Sequence, residues 1–133
     1  MYRQVLLFSL LLIFSSCDPG YVVVLSNQSS KDKSIEVVLN KATNLKYKDS
    51  IPSIDSLGSF EKLKIPVSKD TKSNSYTFTL DKGKKAVLQQ GIGRPDLDEK
   101  VIVDLTDTIL LNIDTRIKIE RHGISTSMAI LLE

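Results

Sequence analysis

Residues 75–90 read Ser-Tyr-Thr-Phe-Thr-Leu-Asp-Lys-Gly-Lys-Lys-Ala-Val-Leu-Gln-Gln. From Tyr76 to Leu80, large apolar residues alternate with threonines. A period of two is typical of a β-strand that buries one face and exposes the other. The Asp-Lys-Gly-Lys sequence at 81–84 then predicts a tight turn, in which Gly83 is suited to a positive φ. Residues 85–90 predict a returning strand, so the whole stretch predicts a β-hairpin.

Similar strand patterns lie on both sides of this stretch. They cover residues 21–26, 34–40, 63–67, 101–105, 109–113, 117–120 and 126–132. The unbroken apolar run at 21–26 predicts a central strand, and the polar residues 27–33 predict a hairpin loop after it. Pro66 cannot donate to a ladder, which places residues 63–67 at a sheet edge. About nine short strands with turn signals between them predict an all-β fold, an antiparallel β-sandwich, with a barrel as the alternative.

The segment Lys41 to Ser59 differs from the rest, because serines, prolines and a glycine interrupt it. Within it Ile51, Ile54 and Leu57 recur at a helical spacing, which predicts one short helical turn. A long connection in a compact domain is usually functional or mobile. We therefore predict that this loop, together with the edge strand at 63–67, offers a binding surface.

The N-terminus carries an export signal. Arg3 is followed by an uncharged apolar run at 5–14, two serines and Cys17, the only cysteine. A membrane-spanning helix needs about 20 apolar residues, so this ten-residue run is too short to remain as a span. A buried core helix would show a polar face, and here Ser9 is the only polar residue of the run.

The Ser15-Ser16-Cys17 sequence resembles the lipobox of bacterial lipoproteins, although Phe14 stands where leucine is usual. The resemblance implies a signal helix at 1–16 that is cleaved and a lipidated Cys17 with a tether to residue 20, with a plain cleaved secretory signal as the alternative. From its length, the remainder at 21–133 is predicted to form one folded domain. The resemblance also implies a protein held in the bacterial cell envelope by its lipid, in the outer membrane and facing the periplasm or the surface. Asp18 resembles a weak sorting signal, either for inner-membrane retention or for Bacteroidetes-type surface export. Residues 76–88 loosely resemble a hairpin of immunoglobulin-like sandwich modules.

Composition limits the function classes. Removing the first 16 of 133 residues leaves 117 residues, enough for one domain. Arg3 is lost with the signal, so 17 basic side chains face 16 acidic ones, for a net charge of +1. This balance argues against a nucleic-acid partner. A lone cysteine allows no internal disulfide and no cysteine metal site, and we predict no cofactor.

Few residues suggest catalysis. A Ser-His-Asp site could use His122, Asp114 and either Ser125 or Ser127, but no Gly-x-Ser-x-Gly motif supports it. Gly91-x-Gly93 lacks the remaining residues of a nucleotide-binding loop. Three acidic residues near Arg94 (Asp96, Asp98 and Glu99) lack the spacing of an EF-hand. We therefore assign no catalytic residue and no metal ligand.

Short modification motifs are also present. Asp49-Ser50-Ile51 and Asp55-Ser56-Leu57 resemble the acceptor sequence of Bacteroidetes-type O-glycosylation, which makes Ser50 and Ser56 candidate sites. Asp107-Thr108-Ile109 matches the same pattern at a strand edge. Asn27-Gln28-Ser29 matches the N-glycosylation acceptor, but the bacterial signal that the lipobox resemblance implies would make the eukaryotic machinery irrelevant.

Two functional hypotheses follow. The first is a non-enzymatic, lipid-anchored envelope protein that binds or scaffolds a protein or glycan. The alternative is a small envelope enzyme, or an accessory domain of one, with an active site that the sequence does not reveal.

Overall fold

A computed structural model describes residues 19–40, 45–46, 48–54, 63–93, 95 and 100–133. These residues form eleven strands, and only Leu45 and Lys46 among them are helical. The strands are β1 (Gly20–Asn27), β2 (Lys33–Val38), β3 (Ser50–Ile54), β4 (Leu63–Pro66), β5 (Ser68–Asp70), β6 (Ser75–Leu80), β7 (Lys85–Ile92), β8 (Lys100–Val103), β9 (Asp107–Leu110), β10 (Ile117–His122) and β11 (Ser125–Leu132). The fold is all-β, as the alternation predicted. The predicted signal helix lies outside the described residues.

The strands form two sheets that share one apolar core. The six-stranded sheet has the order β10-β11-β1-β7-β3-β4, and the five-stranded sheet has the order β5-β6-β2-β8-β9. Val23 and Leu25 from the first sheet and Ile35 and Val37 from the second are all fully buried in the same cluster. Each sheet therefore buries one face against the other, which is how two half-apolar sheets remove their apolar surface from water.

The facing predicted for the opening stretch is confirmed. Tyr76, Phe78 and Leu80 on β6 are at most 6% exposed, whereas Thr79 is exposed. The rings of Tyr76 and Phe78 stack with centroids 6.1 Å apart. Gly83 has a φ of +75°, so the turn does use the backbone freedom of glycine.

The predicted hairpins at 75–90 and 21–40 are wrong. The β6 strand pairs with β2 and β5, whereas β7 pairs with β1 and β3, so the turn at 81–84 carries the chain from one sheet to the other. The segment after β1 likewise crosses between sheets to reach β2. A hairpin and a crossing between sheets bury the same alternate residues, so periodicity cannot separate them.

The prediction of a purely antiparallel fold is also wrong in one place. β1 runs parallel to β11, from Tyr21 opposite Thr126 to Asn27 opposite Leu132. β1 is central, as predicted, between β11 and β7. Its outward-facing Val22 and Val24 are only half-buried, so one face is not fully covered.

Two polar segments contain strands that the sequence did not predict. Within residues 41–59, β3 lies between β7 and β4 and buries Ile51 completely. The helical turn predicted through Ile51 and Ile54 is therefore wrong, and Leu57 lies outside the described residues. β5 occupies part of the polar loop predicted at 68–74. Its three side chains are exposed, so it carries no apolar pattern to read.

Two residues predicted to face the core are exposed instead. Leu105 is 80% exposed because it lies in the turn between β8 and β9, with a φ of +63°. Ile113 is 71% exposed because it follows the end of β9. In both cases the apolar alternation continues in the sequence beyond the end of the strand.

Candidate binding surfaces

A groove lies where the chain passes from the six-stranded sheet to the five-stranded sheet. β4 is an edge strand of the six-stranded sheet, and β5 is an edge strand of the five-stranded sheet. Only Val67 separates the two strands along the chain. The groove beside this crossing has a volume of about 710 Å³. We call it the β4 groove, and its lining includes Leu63, Lys64, Ile65, Pro66, Val67, Ser68, Thr77, Phe78, Thr79, Asp81 and Lys84.

The β4 groove combines an apolar stripe with polar groups beside it. Leu63 is 51% exposed, whereas Ile65 and Val67 are half-buried and pack against the core. Phe78 contributes a buried aromatic ring from the neighbouring sheet. Threonine and serine hydroxyls and both signs of charge complete the lining. In a binding site, apolar surface can supply affinity while neighbouring polar groups fix the orientation of the ligand.

A hydrogen bond and an ion pair fix the crossing of the chain at this groove. The Val67 amide donates to the Asp49 carbonyl at 3.3 Å, so the ladder between β3 and β4 continues one pair beyond the strand. Lys69 Nζ lies 2.7 Å from Asp49 Oδ1 across the crossing. Contacts from Asp49, just before β3, therefore hold both Val67 and Lys69 at the crossing.

The outer edge of β4 presents few backbone donors. Because the Val67 amide points to β3, strand alternation directs the backbone groups of Ile65 and Leu63 to β3 as well. The groups that point outward therefore belong to Lys64 and Pro66. Proline has no N–H, so only the Lys64 amide can donate there. The prediction that Pro66 marks an edge strand is confirmed.

A second cavity of about 450 Å³ lies at another margin of the two sheets. Its lining includes Lys33, Asp107, Arg116, Lys118 and Glu133. The Arg116 guanidinium donates to Asp114 Oδ2 at 2.7 Å and to the carboxylate of Asp107 on β9. Arg116 precedes β10, so this cluster joins the two sheets through charged groups.

Hydrogen bonds from Arg116 lower the pKa of the Asp114 carboxyl to about 2, from an ordinary value of 3.8. The hydrogen bonds that Arg116 donates, first to Asp114 and second to Asp107, raise the pKa of the guanidinium. Arg116 therefore stays charged, and Asp114 stays ionised down to strongly acidic pH. The Asp-x-Arg spacing at 114–116 is the sequence signal for this pair.

A lysine missed by the sequence analysis ties the segment before β3 to both sheets. Lys48 Nζ donates to the Leu88 carbonyl of β7 at 3.0 Å and lies 5.5 Å from the centroid of the Tyr76 ring. A cation over an aromatic face is attracted by the ring quadrupole. Lys48 therefore has a structural role in this part of the 41–59 segment.

The candidate modification sites are placed only in part. Ser50 begins β3, lies opposite Pro66 and is half-buried, and its preceding Asp49 pairs with Lys69. Cys17 and Ser56 lie outside the described residues. O-glycosylation at Ser50 or Ser56 and lipidation at Cys17 stay predictions.

The Asn27 motif has a structural explanation. Asn27 is 1% exposed, and its Nδ2 donates to the Lys31 and Leu80 carbonyls, both at 2.9 Å. Its Oδ1 accepts from the Ser29 amide. The side chain thereby joins the crossing after β1 to the end of β6 and is not accessible to a transferase.

The possible Ser-His-Asp set is not brought together. Asp114 precedes β10 and is bonded to Arg116, whereas His122 is the last residue of β10. The five steps from Ile117 to His122 alone span about 17 Å of extended strand. The three acidic residues considered for calcium lie outside the described part of the chain. Among the residues that are described, no three His, Cys, Asp or Glu side chains group as metal ligands.

No protein-family model matches the sequence. A search of the curated proteins also finds no match. Within the part of the chain that the structure covers, no helix has the length and apolar character to cross a membrane.

Proposed function

We propose that this chain is a lipid-anchored bacterial cell-envelope protein whose domain, an immunoglobulin-like β-sandwich, binds or scaffolds a protein or glycan partner. Cys17 carries the lipid in this proposal, and the β4 groove binds the partner. The apolar stripe of the groove is the observation that carries the binding role, because Leu63 is 51% exposed beside half-buried Ile65 and Val67.

The anchor brings the domain close to the bilayer. β1 begins at Gly20, so three peptide units separate it from Cys17. Three extended residues span about 10 Å. The lipid would therefore hold the sandwich directly above the membrane surface, in the outer membrane of the envelope. A short tether of this kind suits a protein that presents a fixed surface to a neighbouring molecule.

The β4 groove favours an extended partner. All four residues of β4 line it, and the outward Lys64 amide and carbonyl can pair with a partner backbone. The side chains of Thr77, Thr79 and Ser68 offer hydroxyls that suit either a peptide or a sugar. We expect the apolar stripe to supply most of the affinity and the hydroxyls to supply orientation.

The anchor is tested by Cys17→Ser, with Ser16→Ala as the matched control. Stable attachment needs the acyl chains that only Cys17 can carry. We expect the Cys17 variant to leave the membrane fraction or to remain unprocessed, whereas the Ser16 variant behaves as wild type. Normal fractionation and processing of Cys17→Ser would refute lipidation.

The groove is tested by placing a photo-crosslinking amino acid at Leu63 and, separately, at Leu105. Both are exposed leucines, and Leu105 lies in the turn between β8 and β9. We expect a discrete adduct in cells from position 63 only, identified by mass spectrometry. Equal adducts from both positions, or none from 63, would remove the groove as the site.

A matched pair of substitutions measures the affinity once the partner is identified. Leu63→Asp should weaken binding on the order of tenfold because it places a charge in the apolar stripe, whereas Leu105→Asp should leave it unchanged. Turnover of an envelope substrate by the purified protein would overturn the proposal and favour the enzyme alternative.

A further inference from the structure

The other end of the six-stranded sheet is a longer and less protected edge. β10 has six residues and no proline, and among the described residues only β11 pairs with it. Its sequence is Ile-Lys-Ile-Glu-Arg-His. A strand with one open side is a template for pairing with another strand.

The register shows which backbone groups of β10 face outward. The Leu131 amide donates to the Arg116 carbonyl, so Arg116 and Leu131 form a hydrogen-bonded pair just before β10. Because the direction alternates along a strand, the backbone N–H and C=O groups of Lys118, Glu120 and His122 also point toward β11. The backbone groups of Ile117, Ile119 and Arg121 face the open side. Of these, the Ile117 amide donates to the Asp114 carbonyl in the preceding turn.

We propose that β10 pairs antiparallel with β10 of a second copy of this chain, with Ile119 opposite Ile119. In this register Ile119 of each copy donates its amide to the carbonyl of the other. Ile117 of one copy lies opposite Arg121 of the second, again with outward-facing backbone groups. The central pair therefore satisfies groups that β11 does not reach.

Side-chain charge selects this register. Lys118 of one copy lies opposite Glu120 of the second, and the pair occurs twice because the arrangement is two-fold. These are the closely spaced positions of an antiparallel ladder, where opposite charges attract and like charges repel. A parallel arrangement in register would place lysine beside lysine and glutamate beside glutamate. Of these two in-register arrangements, only the antiparallel one places opposite charges together.

The exposed Ile119 gives the apolar part of the interface. Ile119 is the Cα partner of buried Met128, so it lies on the core face of the sheet, yet it is 60% exposed. In the proposed pair, each Ile119 covers the other at the margin of the core. Burial of this side chain adds an apolar contact to the backbone pairing.

The assembly closes at two copies. A two-fold contact uses the same edge on both copies, so no open β10 edge is left. The ends of the resulting twelve-stranded sheet would both be β4, whose outward side lacks the N–H of Pro66. The inference does not depend on the lipid anchor or on the β4 groove.

The experiment is a charge-reversal cycle on the protein as purified from cells, whether or not it carries a lipid. Lys118→Glu and Glu120→Lys each place like charges opposite one another at two sites. We expect each single variant to raise the dimer dissociation constant on the order of tenfold, measured by sedimentation velocity. The double variant K118E/E120K should return the dissociation constant to the wild-type value, because it again places opposite charges together. Circular dichroism and thermal unfolding confirm that each variant is folded.

A second measurement covers the case in which charge contributes little. Ile119→Cys should form a disulfide-linked dimer on mild oxidation, whereas Leu105→Cys, another exposed position, should not exceed the wild-type background. A chain that stays monomeric at 100 µM (on the order of weak interface affinities), equal cross-linking at both positions, or failure of the double variant to restore dimerisation would each overturn the proposal.

Discussion

The two ends of the six-stranded sheet, β4 and β10, solve the problem of an open edge differently. β4 has four residues, one outward amide and a proline, and the chain continues directly from it into the second sheet. β10 has six residues and alternating charge, and Ile119 is exposed on its core face. The first edge is protected by its own backbone. The second is left available, and only its charge pattern limits what can pair with it.

The two margins of the core differ in the same way. Beside β4, the sheets are joined by continuous chain and by apolar contacts that include Phe78. Near the start of β10, they are joined by Arg116 and its two carboxylates. The comparison teaches that one margin depends on packing and the other on charge, and the following predictions separate the two.

The largest effect is expected at the packed margin. Phe78→Ala should lower the free energy of unfolding by about 3–5 kcal/mol, because it removes a buried ring and leaves a cavity. Thr79→Ala, the next residue on the exposed face of β6, should cost far less. Denaturant unfolding measures both, and equal costs would contradict the assigned facing.

At the charged margin, Arg116→Ala should cost about 1–2 kcal/mol, since partly exposed charged hydrogen bonds contribute less than buried ones. Arg121→Ala is the control, because Arg121 is an exposed arginine on β10, the strand that follows Arg116. Chemical unfolding at pH 7 provides the comparison. An Arg116 variant as stable as the control would show that the charged cluster does not join the sheets.

Acid should weaken the charged margin selectively. The pKa of Asp114 is lowered in the folded state to about 2 from 3.8. The carboxylate of Asp114 therefore contributes fully to the free energy of unfolding above pH 3.8 and loses this contribution as the pH falls toward 2. The whole contribution is at most about 2 kcal/mol. Between pH 5 and pH 2, the free energy of unfolding should decrease less steeply for Asp114→Asn than for wild type. Parallel curves would exclude this contribution.

The smallest effect on stability, but the most direct test of the comparison, is Pro66→Val. The change restores an outward N–H on β4 and should alter the free energy of unfolding by less than about 1 kcal/mol. We expect species larger than two copies to form, because the protected edge becomes open. Pro52→Val is the control, since alternation directs that N–H toward β7. Identical size distributions for both variants would show that Pro66 does not protect the edge.

Sequence pattern predicted what each strand buries better than which strand lies beside it. The alternation through Tyr76, Phe78 and Leu80 and the edge position of Pro66 are confirmed because both depend on local backbone rules. Pairing depends on contacts between distant residues, so the crossing at 81–84 was predicted to be a hairpin. Part of the candidate groove was predicted through residues 63–67. The contribution of Phe78 from the second sheet required the structure.

The parallel pairing of β1 with β11 has a kinetic consequence. It joins Tyr21 to Thr126, and 126 less 21 is a separation of 105 positions along the chain. Closing so long a loop costs entropy before any of its contacts form, and chains dominated by distant pairings fold in milliseconds to seconds. We therefore expect the central strand to acquire its second neighbour late in folding. Until then, an apolar edge stays exposed in the middle of the future sheet, where an early partner would trap the chain.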